Sequence, residues 1–174
     1  MKELISSGLE ALGLTGSVPP DAAEKLAEYG RLLLEKNQMM NLTAIRDEAG
    51  VARLHMLDCA ALLDCGDLSG RRLIDVGTGA GFPGLPLKIL LPGLDVTLLD
   101  SLNKRVDWLN EVSAQLGLTG VRAIQGRAEE KALEKSMRDS FDLVTARAVA
   151  DLRLLAELCL PFVKVGGRFL AMKS

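Results

Sequence analysis

Aromatic side chains are scarce in this chain of 174 residues: four Phe, one Tyr and one Trp. So small a set offers no platform for stacking successive bases, the device of single-strand binders. Histidine occurs once, as His55, and cysteine three times, as Cys59, Cys65 and Cys159, with no metal-site spacing. A zinc centre is therefore disfavoured and no metal is expected. An odd number of thiols reads as a reducing compartment. No apolar run reaches the ~18 residues of a membrane-spanning helix, and no membrane partner is expected. The opening residues, Met1-Lys2-Glu3-Leu4-Ile5, lack the apolar stretch of a secretory signal. A cytoplasmic protein is expected.

What is present fits a globular fold. Hydrophobic residues make up 48% and charged residues 25%, which sets disorder aside. The net charge is −2, unevenly spread. Residues 1–70 carry 6 basic and 11 acidic groups, and residues 71–174 carry 15 and 12. The local field, not the total, decides what an anion meets.

The chain divides at Gly70. Residues 1–70 read as a helical N-terminal extension. Pro20 starts a helix on which Leu26, Tyr29 and Leu33 share a face. The segment from Asn37 to Thr43 interrupts it, and a further helix is expected from about Asp47 to Leu63. Residues 71–174 alternate short apolar runs with helix-length segments. The runs are 73–76, 95–99, 121–124, 141–144 and 167–172; the helices are 84–91, 101–116, 129–138 and 151–160. This alternation predicts an α/β fold with a mostly parallel sheet and helices on both faces.

The chemistry gathers after the first strand, in Asp75-Val76-Gly77-Thr78-Gly79-Ala80-Gly81-Phe82-Pro83-Gly84. Alternating glycines let a backbone turn sharply and approach a ligand. Asp100 ends the second strand, where an acid can accept from ribose hydroxyls. Two cofactors satisfy this pattern. Gly79-x-Gly81-x-x-Gly84 matches the dinucleotide fingerprint and leaves a nicotinamide oxidoreductase open. The acid at position 75 favours the cationic S-adenosylmethionine, since it would repel a pyrophosphate.

Longer strings are more specific. Gly77-Thr-Gly-Ala-Gly-Phe-Pro-Gly84, Leu98-Leu-Asp-Ser-Leu-Asn-Lys-Arg-Val106, Arg127-Ala-Glu129 and Thr145-Ala-Arg-Ala148 together resemble the RsmG (GidB) family. Asn41-Leu-Thr43, His55-Met-Leu-Asp58, Leu158-Cys-Leu-Pro161 and Ala171-Met-Lys173 extend the resemblance over roughly residues 25–174. The resemblance implies a Rossmann-like class I methyltransferase that moves a methyl group from S-adenosylmethionine to N7 of a guanine in 16S ribosomal RNA of the small subunit. It also implies that Gly77 and Phe82 line the cofactor pocket, with Gly79 of the same glycine motif a further cofactor candidate, that Ala128 and Glu129 sit by adenine, and that Arg147 lies by the methionine end or the incoming guanine. To these the residues themselves add Asp100 on the ribose and Asp75 towards the ammonium group. Lys104 and Arg105 are candidate contacts for RNA phosphates. No proton-transfer residue is assigned, because guanine N7 carries no proton at neutral pH.

Plainer roles stand beside these. Asp75 and Asp100 can cap the helices that follow them. Phe82 can serve packing alone, Glu129 can complement a helix dipole, and Arg147 can pair with Asp151 at i, i+4. His55 is expected to be a packed histidine rather than an RNA or pocket contact. The three cysteines, Trp108 and Met39-Met40 are expected in the core. The last residues fall just after the fifth strand, whereas the methyltransferase fold usually continues with a helix and two strands. A C-terminally incomplete core, or a non-catalytic module that binds S-adenosylmethionine or RNA, is therefore a further reading. Nothing resembles a dimer seam, and a monomer is expected.

Overall fold

The computed structural model describes residues 1–147 and 151–172. Ala148 and Lys173, which end two of the family-like strings, lie outside the described residues.

Five parallel strands form one sheet: β1 (Arg72–Val76), β2 (Asp95–Asp100), β3 (Val121–Gln125), β4 (Phe141–Arg147) and β5 (Val163–Met172). Their order is β3-β2-β1-β4-β5. Side chains alternate across the sheet, as the strand period requires. Leu73, Val96, Leu98 and Leu143 enter one apolar cluster. Ile74, Val76, Leu99, Val144 and Ala146 enter another on the opposite face. Both faces are covered, which explains why these strands read as apolar runs.

Helices α5 (Gly84–Leu90) and α6 (Asn103–Gln115) belong to the first cluster. Helix α8 (Leu152–Cys159) belongs to the second, next to the segment after α7 (Ala128–Lys131). Asp151 caps α8 by accepting from the backbone N–H groups of Arg153 and Leu154. The α7 region is shorter than the expected helix 129–138, because turns replace it from Ala132. β5 begins at Val163, four residues earlier than the apolar pattern indicates.

The N-terminal extension packs on the first face. α1 (Lys2–Ala11) and α2 (Ala22–Asn37) lead into α3 (Glu48–Gly50). A π-helical stretch follows over Val51–Leu57, then α4 (Asp58–Ala60) and a 3-10 turn over Ala61–Cys65. The single helix expected over 47–63 is thus a composite with a widened middle. Leu26, Tyr29 and Leu33 are fully buried along one stripe of α2. Each contributes roughly 1.5–3 kcal/mol by leaving water. They share their cluster with Leu85, Leu98 and Leu109 of the sheet half, so one core runs through both segments.

Two core expectations fail. Met39 is 73% exposed, because helix α2 ends at Asn37 and the chain turns outward. Cys65 is exposed at the end of the 3-10 turn, while Cys59 and Cys159 are buried. Trp108 is buried as expected.

Candidate active site

The carboxyl ends of β1, β2 and β3 open on a cavity of about 740 Å³. Its volume is in the range of small-molecule sites. Its place is where open α/β sheets take their ligands: beside β1, from which the chain runs outward to β2 and β3 and then returns to β4. Gly77, Asp100, Ala128, Glu129 and Arg147, all singled out by sequence, line this cavity, together with Arg105.

The glycine loop supplies one wall. Gly77 and Gly79 have φ of +66° and +60°, and Gly81 of +97°. At Gly81 a Cβ would also meet the Tyr29 hydroxyl at 2.7 Å, so both dihedral and space demand glycine. The Tyr29 hydroxyl donates to the Ala80 carbonyl, which ties the loop to α2. At Gly84 a Cβ would stand 2.4 Å from Leu98 Cδ2, so the start of α5 lies directly on β2.

Asp100 organises the middle. Its Oδ2 accepts from the Gly79 N–H at 2.9 Å and its Oδ1 from the Leu102 N–H at 2.9 Å. Arg105 Nη1 lies 3.6 Å from Oδ2. Each carboxylate oxygen still has a free lone pair for a hydroxyl. Asp100 thus holds the turn that leads into α6 and lines the cavity at once, while α6 itself has no side-chain cap. The Gly126 N–H donates to the Asp100 carbonyl at 3.0 Å, joining the loop after β3 to the same point.

Asp75 sits behind the wall. It is fully buried. Its Oδ2 accepts from Thr78 Oγ1 at 2.6 Å and from the Gly84 N–H at 3.0 Å, and its Oδ1 from Thr145 Oγ1 at 2.9 Å. Burial pushes its pKa up to about 6, against the pull of those three donors. Its observed partners are loop, helix start and β4, not the cavity. Gly79 and Phe82 are likewise not among the lining residues.

Phe82 has three ring neighbours or cations. His55 stacks on it with centroids 4.4 Å apart, Tyr29 lies 5.4 Å away, and the Arg147 guanidinium carbon is 4.8 Å from its centroid. Arg147 does not pair with Asp151 among the described residues. Its Nη2 donates to His55 Nδ1 at 2.8 Å and its Nη1 to the Leu54 carbonyl at 3.3 Å. Asp58 lies 4.0 Å away. His55 is therefore packed, as expected, but it is packed against a cavity residue, which no local spacing announced. Ser101, Gln125, Gly126 and Arg127 also line the cavity; their positions after β2 and at the end of β3 were the available signal. Lys104 is exposed on the first turn of α6.

Comparisons with known proteins give the family and the fold. The family model for GidB, rRNA small subunit methyltransferase G, matches residues 22–174. The ribosomal RNA small subunit methyltransferase G of Alkaliphilus metalliredigens is 48% identical over 174 residues, covering 99% of this chain and 72% of that protein. The protein of the same name from Clostridium perfringens is 43% identical over 173 residues, with the same coverage. Among solved structures, coclaurine N-methyltransferase bound to N-methylheliamine and SAH superposes with a TM-score of 0.58 at 18% identity, covering 98% of this chain and 56% of that one. That likeness shows the Rossmann-like methyltransferase fold. By its family model and by these relatives, the chain belongs to the rRNA small subunit methyltransferase G (GidB) family.

Proposed function

We propose that this chain binds S-adenosylmethionine in the cavity at the ends of β1–β3 and directs its methyl group to N7 of a guanine in 16S ribosomal RNA. The observation that carries the reading is the cavity itself, lined by Asp100 from the end of β2 and by residues 126–129 after β3. Membership of the family supports reading that cavity as the cofactor site.

The residues present fit the cofactor. Asp100 holds the ribose hydroxyls, and the chain at Ala128 and Glu129 receives adenine. Gly77 lets the loop approach the methionine portion, and Arg147 meets its carboxylate with a guanidinium. Asp75, Gly79 and Phe82 act from behind, by holding the loop that faces the ligand. S-adenosylmethionine supplies a methyl group on a cationic sulfur. The guanine N7 lone pair needs no base to expose it, so the protein's task is alignment and exclusion of water. N7 lies in the deep groove of A-form RNA, so the target guanine must come from an unpaired or distorted region. Lys104 and Arg105 stand at the start of α6, where they can meet phosphates.

Residues 1–70 form, on this reading, an extension that frames the methyltransferase core of residues 71–174. The partner is 16S RNA or the small subunit, the compartment the cytoplasm and the working form a monomer.

The test is transfer of labelled methyl from S-adenosylmethionine to bacterial small-subunit RNA, followed by digestion and mass spectrometry. 7-Methylguanosine is the expected product. A different methylated base would overturn the N7 assignment, and absence of S-adenosylhomocysteine binding by folded protein would overturn the site. Binding without transfer would support a module that holds cofactor without turnover.

A further inference from the structure

The lone histidine sits between two parts of the molecule that are far apart in sequence. On one side, Asn37 at the end of α2 clamps Thr43. Its Oδ1 accepts from the Thr43 N–H at 3.0 Å and its Nδ2 donates to the Thr43 carbonyl at 2.9 Å. Thr43 Oγ1 then lies 2.8 Å from His55 Nε2. On the other side, His55 Nδ1 lies 2.8 Å from Arg147 Nη2. A guanidinium can only donate. Nδ1 must therefore accept, the ring proton resides on Nε2, and Nε2–H donates to Thr43.

Packing reinforces that state. His55 is 7% exposed and lies nearly parallel to Phe82, with an interplanar angle of 18°. Burial, and then the Arg147 charge, push its pKa down to about 4, so the ring is neutral and free to accept at physiological pH. The π-helical stretch brings the Leu54 carbonyl to the same guanidinium. Widened turns of this kind often occur at functional sites. Arg147 is thus seated from three directions, by the Phe82 face, His55 Nδ1 and the Leu54 carbonyl, while it lines the cavity.

We propose that His55 is a positioning residue of the active centre: held by Thr43 at Nε2, it presents Nδ1 to the Arg147 guanidinium and keeps it over the Phe82 ring in the orientation that receives the carboxylate end of the cofactor. The inference rests on the functional reading above and deepens it. It places part of the control of cofactor binding in the N-terminal extension.

Three variants separate positioning from mere packing. His55→Phe keeps a ring on Phe82 and removes both nitrogens. His55→Asn returns an acceptor near the place of Nδ1. Thr43→Val removes the oxygen that holds the ring at Nε2. Each full chain is checked for a cooperative thermal melt. Two readouts follow: the dissociation constant for S-adenosylhomocysteine by calorimetry, and the nitrogen NMR signals of the Arg147 guanidinium without ligand. In the wild type, slowed rotation of the guanidinium is expected. His55→Phe should free that rotation and weaken binding at least tenfold, and His55→Asn should recover most of both. Thr43→Val should fall between, and it carries the test if His55→Phe does not fold. Unchanged rotation and affinity in His55→Phe would overturn the proposal. So would an equal loss in His55→Phe and His55→Asn, which would mean packing alone. If the wild type binds no S-adenosylhomocysteine, the functional reading fails, and the ligand-free NMR signals still decide whether His55 seats Arg147.

Discussion

Thr145 Oγ1 donates to Asp75 Oδ1 at 2.9 Å, between residues that face each other across the parallel pair β1 and β4. Both are fully buried. The same carboxylate takes up Thr78 and the first N–H of α5. One side chain thereby joins two strands, the glycine loop and a helix start, directly behind the cavity.

Removing one donor from this arrangement leaves a buried carboxylate oxygen without its partner. Thr145→Val, which keeps the shape and deletes the hydroxyl, should cost about 1–3 kcal/mol in urea unfolding. An unchanged midpoint would show that the oxygen finds another donor.

The pH dependence follows from Asp75. Its folded pKa, about 6, is raised above the ordinary carboxylate value. The folded state therefore holds more protons than the unfolded state between about pH 4 and 6. The stability this contributes is complete below about pH 4 and is lost as pH rises through about 6. The gap between wild type and Asp75→Asn should accordingly narrow by up to about 3 kcal/mol from pH 4 to pH 7. His55, with its depressed pKa, acts oppositely: stability rises with pH between about 4 and 6.5. That trend is common to both proteins and cancels in the difference. Urea midpoints across this range measure it, and a gap that widens with pH would contradict the sign.

Gly84 is a steric prediction. A Cβ there would lie 2.4 Å from Leu98 Cδ2 and 3.1 Å from Asp75 Cβ. Gly84→Ala should destabilise by about 1–3 kcal/mol through overpacking. Gly16→Ala, which meets nothing within 4 Å at an unstrained backbone position, is the control and should lie within about 0.5 kcal/mol of wild type in the same unfolding experiment.

Asp100 should govern ligand affinity. Asp100→Ala removes both oxygens from the cavity and frees the Gly79 and Leu102 N–H groups. Calorimetry should show S-adenosylhomocysteine binding weakened at least about tenfold, equivalent to about 1.4 kcal/mol. Asp100→Asn keeps one acceptor and should lose less.

β1 and β2 were readable because both are buried on both faces and end at turn residues; β2 runs from Asp95 to Asp100, one residue past the apolar run. Asp100 was readable because it ends a strand on the edge where such sheets take ligands, whereas Gly77 and Glu129 came from the resemblance of their strings to the family; all three line the cavity. The π-helical stretch was not readable, since a widened turn leaves no composition signal. Nor was the bond from His55 to Arg147, which spans 92 residues. Asp75 was recognised as important, but an acid beside a glycine loop reads the same whether it faces ligand or holds the loop from behind. Only the placement of Thr145 distinguishes the two. Met39 and Cys65 were misplaced because hydrophobic character alone does not tell the end of a helix from its buried stripe.

The strand order has a consequence for synthesis. β1, β2 and β3 emerge in sequence and can pair as they appear, yet the other side of β1 must wait for β4. During that interval Asp75 faces an open edge without Thr145, and His55 has no guanidinium to hold. Until β4 pairs, β1 presents an unpaired strand edge, a surface prone to mispairing. Arg147 reaches the cavity only when residues 141–147 arrive, and the second apolar cluster is completed later still by Leu155, Cys159 and Phe162.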